Sequence, residues 1–434
     1  MPDRVKSRVR WFLVFWLFVL SAVAYLDRVN ISIAGTSIMA EYHLNQVQLG
    51  SVFLAFSFGY TLFQTVGGWL ADRLGPRRVL MAGVLWWGVF TALTTAVSAK
   101  IAYALFFFAA MRFLLGAGEA IMYPASNQFV SRWIPTQERG IANGVIFAGV
   151  GVGAGVTPVL IASVMMHHGW RASFWMSSAI GIIAGAVWFL AARDTPEEHP
   201  SMSASELAYI QAGRTISSAS GNRISWSTIL TSGQVWSVTL AYFCFGYVAW
   251  IFFYWFFIYL KNVRGLDLKA SALYTTLPFL AMAACSPIGG IINDRLTKLF
   301  GKRAGRGGIA FAGLALAAVF LVVGSRAESA RVASIVLAGG AGALYLSQSS
   351  FWSVTADIAS GSSGSVSGYM NMGNQFGGML TAQLTPLIAS RWGWTAPFYV
   401  AAALAALGAV AWLFVNPKRR LATTKQSLPS LEKI

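Results

Sequence analysis

Four ionisable side chains stand in sequence that is otherwise apolar. Asp27 and Arg28 are adjacent in "VLSAVAYLDRVNISIAG" (19–35), and Arg112 and Glu119 lie seven apart in "AAMRFLLGAGEAIMYPASNQF" (109–129). Counted from Trp11, Asp27 is about 24 Å along a helix, deep in a bilayer if that helix spans one. Charges at such depth cost several kcal/mol unless they face a bundle interior or a water-filled cavity. Two kinds of chemistry suit them. A guanidinium offers a fixed positive charge that grips a carboxylate bidentately. A carboxylate can take up and release a proton. Arg112 and Glu119 share a helical face but are about 10.5 Å apart along it, too far for a direct ion pair. Each therefore needs another partner, and Asp27 and Arg28 are the available ones. Buried ion pairs stabilise poorly compared with apolar packing, so a purely structural role is a weak reason for four such charges.

The elements that must hold these groups are membrane helices. The 434 residues are 56% hydrophobic and 11% charged, with mean hydropathy +0.60; a water-soluble domain carries about 25% charged residues. Apolar segments close to the roughly 20 residues needed to cross hydrocarbon recur along the chain. Period-2 alternation is absent, which disfavours a barrel. Twelve spans are expected, at 11–34, 48–70, 79–98, 103–128, 140–164, 172–192, 233–260, 270–292, 309–326, 331–355, 365–389 and 395–416. The net charge of +17 follows topology. With both termini inside, 22 of the 32 Lys and Arg fall on the inner side and 8 outside, as the positive-inside rule requires, so no nucleic-acid partner is implied. The N-terminus has the form of a signal peptide, with "RVKSRVR", an apolar run and "AVA" at 22–24. Cleavage would leave an odd number of spans, so the first helix is expected to be retained.

Two halves are visible. The segment 193–232 is the one long polar stretch, a linker with room for a short interfacial helix. It separates a bundle at 1–192 from a second at 233–416, followed by a tail at 417–434. "GWLADRL" (68–74) recurs as "GIINDRL" (290–296), each after the second helix of its half and each trailed by basic residues. A duplicated six-helix unit suits a transporter with its cargo site between the halves.

"GGWLADRLGPRR" (67–78) resembles the signature loop of the major facilitator superfamily. The resemblance implies twelve transmembrane helices in two six-helix bundles, both termini cytoplasmic, and an inner-side charge network that latches the outward-facing state. It carries over to Gly68, Asp72, Arg73, Gly75, Arg77 and Arg78, with Asp294 and Arg295 in the weaker second copy. "YLDRVNISIA" with "RFLLGAGEAIMYP" is similar to the anion:cation symporter family of that superfamily, which includes bacterial carriers of galactonate, glucarate and hexuronates. By that resemblance Arg28 and Arg112 serve the cargo carboxylate, and Asp27 and Glu119 are the proton-coupling acids. Two acids would allow more than one proton per cargo, so that a monoanion enters with net positive charge.

Recognition of a hydroxylated cargo needs uncharged polar groups. Tyr25 is one turn from Arg28, and Tyr60 and Gln64 are i, i+4 partners. The tenth span, "YLSQSSFWSVTAD", contributes Gln348, Ser350 and Trp352; the eleventh, "SGYMNMGNQFGGML", contributes Asn371 and Asn374. Trp352, Asn371 and Asn374 also resemble family substrate positions. Such residues equally bond helix to helix in membranes. The aromatic run "WIFFYWFFIYL" (250–260) reads as lipid and bundle packing, and "GSSGSVSG" (361–368) as a flexible inner-side turn.

An enzyme is not expected. All four histidines (His43, His167, His168, His199) fall in loops, and Cys244 and Cys285 lie in spans without a partner base. The expectation is a proton-coupled importer of a small organic monoanion, a sugar acid foremost, acting by alternating access as a monomer in a bacterial inner membrane. Protons are the coupling ion, with no metal and no organic cofactor. The alternatives are a carrier of aromatic or dicarboxylic acids, or a drug exporter of the same fold; an exporter of cations would want a lone central acid without two arginines.

Overall fold

A segment crossing hydrocarbon must satisfy each backbone N–H and C=O within itself, which a helix does. The computed structural model describes residues 9–44, 46–98, 103–213, 224–256, 259–266 and 268–421. Among them stand twelve long helices: α1 (Val9–Tyr42), α2 (Gln46–Leu74), α3 (Pro76–Thr94), α4 (Ala104–Trp133), α5 and α6 (139–168 and 170–191), α7 (Gly233–Tyr254), α8 (Leu268–Phe300), α9 (Ile309–Arg326), α10 (Ala330–Ala359), α11 (Ser363–Trp392) and α12 (Thr395–Trp412). Nine of the described helices are long and apolar enough by composition alone to cross a membrane. The other three, α2, α3 and α11, hold more polar, Trp or Gly residues. Helix α1 starts and α12 ends on the inner side.

Each expected span is a helix, but the ends differ. Helices α1 and α8 continue to Tyr42 and Phe300, beyond the apolar runs. Helix α7 stops at Tyr254, short of the expected 260. Helices α5 and α6 meet without a loop, because Gly169 reverses the chain at φ 76°, a conformation open to a residue without Cβ. The stretch 361–368 is not a flexible turn. Ser360–Ser362 form one 3-10 turn, and α11 begins at Ser363. Among its described residues the linker holds the short helices Ala204–Gly213 and Trp226–Thr231 and a 3-10 turn at Pro196–Glu198.

Two helices are broken at mid-depth. Helix α4 is Ala104–Glu119 followed by Met122–Trp133. The break sits four residues before Pro124, which has no N–H for the carbonyl of Ala120. Helix α10 breaks at Ser347, between Ala330–Leu346 and Gln348–Ala359. There the Ser347 hydroxyl donates to the Leu344 carbonyl at 2.5 Å, a local bond that competes with the helix ladder. These are the fourth helices of the two halves. Discontinuous helices at equivalent places are where transporter folds build their sites. Between the halves, α2 packs on α11 and α5 on α8.

Candidate functional site

Arg28 and Glu119 meet across α1 and α4: the Arg28 Nε–H donates to Glu119 Oε1 at 2.5 Å. The Arg28 guanidinium also lies over the rings of Tyr60 (4.3 Å), Tyr25 (4.8 Å) and Phe56 (5.5 Å), which hold it by cation–π attraction. Arg112 lies over the Phe56 ring at 5.0 Å and is 2% exposed. Five polar atoms here are unmet. Both Asp27 oxygens, Glu119 Oε2 and Arg112 Nε reach no protein hydrogen-bond partner, and neither does Arg28 Nη2. Asp27 and Glu119 are 2% and 0% exposed. Arg28 and Arg112 line a shared cavity, whereas Asp27 and Glu119 line neither of the two cavities at Arg28, so the acids stand behind the arginines.

Two cavities meet at Arg28. The inner one, about 30 Å³, is walled on the second half by Tyr242, Tyr345, Gln348, Asn371, Asn374 and Gln375, with Tyr60 and Tyr123 opposite. The outer one, about 400 Å³, is bounded by Arg112, Phe53, Phe56, Ser57, Tyr254 and Phe279. Tyr25, Arg28, Trp250 and Phe253 line both.

Of the expected uncharged contacts, Tyr25, Tyr60, Gln348, Asn371 and Asn374 face the cavities. Three do not. Gln64 sits behind Asn371, whose Nδ2–H donates to Gln64 Oε1 at 2.8 Å across the two halves. Trp352 lies beneath the floor, packed on Phe147 and Tyr123 with ring centroids 5.0 and 5.8 Å away, and its Nε1–H donates to the Tyr242 hydroxyl at 3.0 Å. Ser350 is turned toward α8, where it accepts from Asn293 Nδ2–H at 3.0 Å; it ties helices together and lies off the cavity. The aromatic run is likewise corrected: Trp250, Phe253 and Tyr254 face the cavities. Tyr123 and Tyr242 are lining residues that the sequence reading missed. Tyr123 is one turn from Glu119, a spacing that could have found it. Tyr242 carries no comparable signal, since no charged residue lies in α7.

The duplicated loop acts at the inner ends of the seams. The Asp72 carboxylate accepts the N–H groups of Gly364 (3.0 Å) and Ser365 (2.8 Å) and the Ser365 hydroxyl (2.5 Å) at the start of α11. Asp294 accepts the N–H groups of Gly140 (2.9 Å) and Ile141 (2.7 Å) at the start of α5, and Arg306 Nη1–H at 2.8 Å. Both place an anion at a helix N-terminus of the opposite half, where backbone donors and the dipole favour it. Gly68 and Gly290 sit beside these carboxylates; a Cβ on either would run into the backbone of Gly364 or Gly140. A further buried carboxylate, Asp357, takes Arg139 (2.9 Å), Lys302 (3.1 Å) and Arg306 (3.2 Å). The inner side is thus sealed and the larger cavity lies toward the outer ends. The loop's basic residues act otherwise than expected. Arg73, Arg78 and Arg295 are exposed at the inner rim, with Arg73 over Trp69 at 4.3 Å. Arg77 ties α3 to the end of α6 through Asp194 (2.9 Å) and the Phe189 carbonyl (2.8 Å), and Gly75 makes the turn between α2 and α3 at φ 90°.

The chain matches the Major Facilitator Superfamily profile at residues 17–382 and 354–431. It is 34% identical over 420 residues to the probable sulfoacetate transporter SauU of Cupriavidus necator, covering 96% of each chain. It is 32% identical over 309 residues to the probable galactarate/D-glucarate transporter GudP of Bacillus subtilis, covering 68% of this chain and 67% of that one. The proton:xylose symporter XylE superposes with a TM-score of 0.76 at 14% identity, over 96% of this chain and 98% of that chain. FucP in its outward conformation superposes with 0.71 at 17% identity, over 94% and 99%. With the profile match and the SauU and GudP similarities, this architecture makes the chain a multi-pass transporter, not an enzyme, that belongs to the Major Facilitator Superfamily in its anion:cation symporter branch.

Proposed function

We propose that this protein imports a small organic anion together with protons across a bacterial inner membrane, and that the anion is a sugar acid. The observation that carries the reading is the Arg28–Glu119 contact at the meeting point of the two cavities, with the uncharged wall of Gln348, Asn371 and Asn374 facing it. Glu119 occupies the guanidinium that a cargo carboxylate would need. Protonation of Glu119 from the outer side releases Arg28, and the cargo carboxylate takes its place with the bidentate geometry that Arg favours. Asp27, behind Arg112, carries a second proton. The halves then rock as Asp72 and Asp294 leave the helix starts of α11 and α5. Deprotonation toward the inside returns Glu119 to Arg28 and expels the anion. The named cargoes of the GudP and SauU relatives, a sugar diacid and a sulfonated acetate, support anion transport. A compact sulfonate-bearing carboxylate is the second reading, favoured by the full-length similarity to SauU.

The test is uptake into proteoliposomes under an imposed pH gradient, with Glu119→Gln beside the unaltered chain. The variant is expected to lose gradient-driven accumulation and to keep counterflow exchange. Full accumulation by Glu119→Gln would remove Glu119 from the coupling.

A further inference from the structure

The larger cavity has a chemistry of its own. Toward the outer side of Arg28 its walls are Phe53, Phe56, Phe279, Tyr254 and Ala154, and its charged member besides Arg28 is Arg112. No amide side chain lines it; the amides Gln348, Asn371, Asn374 and Gln375 line the smaller cavity alone. The boundary between the two is aromatic. Phe253 lies 6.0 Å from Tyr25, 5.3 Å from Trp250 and 4.8 Å from Phe279, centroid to centroid.

Arg112 supplies the second observation. It is 2% exposed, its Nε reaches no acceptor, and no carboxylate lies within 4 Å of it among the described residues. A buried guanidinium whose acidic neighbours, Glu119 and Asp27, stand beyond contact distance is incompletely compensated, and this one lines a chamber with space for a ligand. The chamber could satisfy it with a carboxylate or sulfonate, while the flat walls cover an apolar body. Hydroxyl groups would find there the Ser57 and Tyr254 hydroxyls and, at the boundary, the Tyr25 hydroxyl and the Trp250 indole, but no amide.

Resting on the import reading, we infer that the outer chamber is a separate anion station, which selects by charge and tolerates a flat apolar body. The inner chamber, past the Tyr25–Phe253 constriction, selects by hydroxyl pattern. Arg28 borders both and hands the anionic group from one to the other. A carboxylate without hydroxyls therefore occupies the outer station and competes with cargo from outside without being carried.

The experiment is equilibrium binding to the full chain in lipid nanodiscs by calorimetry, with benzoate as the hydroxyl-free probe and D-galactonate as the hydroxylated one. Benzoate is expected to bind the unaltered chain and to weaken about tenfold or more in Arg112→Gln, which removes the charge, and in Ala154→Phe, which removes the space. In the double variant Asn371→Ala, Asn374→Ala, benzoate should hold within about twofold while D-galactonate weakens about tenfold. Benzoate binding that survives both Arg112→Gln and Ala154→Phe, or that falls in step with D-galactonate in the double Asn variant, overturns the two-station assignment. An unaltered chain that binds benzoate through Arg112 but ignores D-galactonate upholds the outer station and counts against the sugar-acid cargo. One that binds neither overturns the station.

Discussion

Arg28 touches more of the site than any other charged side chain, pairing with Glu119 and lying over three rings. Its planar fork is what allows one nitrogen to hold Glu119 while Nη2 stays available. Lysine, a compact point charge with a strong hydration shell, cannot do both. Arg28→Lys is therefore expected to lower kcat/KM for uptake about tenfold to a hundredfold, measured as initial rates in proteoliposomes; a rate within twofold would show that charge alone suffices. The four buried charges were legible in the sequence because ionisable residues are rare in apolar spans. Their order was not: which acid meets which arginine depends on the rotation of α1 against α4, and a helical wheel does not fix that. Gln64, Trp352 and Ser350 show the same limit, since a polar side chain in a span can serve a neighbouring helix as readily as a cavity.

Seams and caps belong to the elements. The carboxylates of Asp72 and Asp294 each hold the start of a helix in the other half. Asp72→Asn keeps the shape but loses charge-assisted bonds worth about 1.5–3 kcal/mol. It should shift the population toward the inward-open arrangement, so that a cysteine placed at Thr355, buried beside Asn127, is alkylated from the inside about tenfold faster. An unchanged rate would mean that Asp357 and its three cations keep the inner side shut alone. At the outer side, Arg171 of α6 donates to the Glu41 carboxylate at 2.5 and 2.8 Å. Glu41 lies past Gly35, where the apolar span of α1 ends. Those hydrogen bonds from Arg171 hold the Glu41 carboxyl below its ordinary range. A depressed acid contributes stability above its unfolded pKa and loses it as pH falls through the folded one. The unaltered chain should lose thermal stability below about pH 4 more steeply than Glu41→Gln; parallel pH profiles would show that this tie contributes nothing. The duplicated loop was readable as a repeat at fixed offset, but its partners were not, since the starts of α5 and α11 lie far away in sequence.

The whole molecule joins the sealed inner side to an aromatic outer chamber, and at the cavities a charged wall of the first half faces an uncharged wall of the second. If two acids each deliver a proton with one monoanion, the cycle moves one net positive charge inward. Each 100 mV then contributes about 2.3 kcal/mol per charge. An inside-negative potential imposed with potassium and valinomycin should raise D-galactonate accumulation at constant pH gradient. Indifference to the potential would fix coupling at one proton per monoanion.

Apolar run length, the sidedness of Lys and Arg, and the repeated loop together dictated a twelve-helix membrane protein of two related halves, because the bilayer leaves a chain so few ways to satisfy its backbone. The same reading singled out Asp27, Arg28, Arg112 and Glu119, since misplaced charges stand out against hydrocarbon. Contacts between segments far apart in sequence settled the rest. The turn of Trp250 and Phe253 into the cavities and the retreat of both acids behind the arginines depend on how helices rotate and pack against one another, and side-chain periodicity along one helix carries no record of the neighbour it will meet.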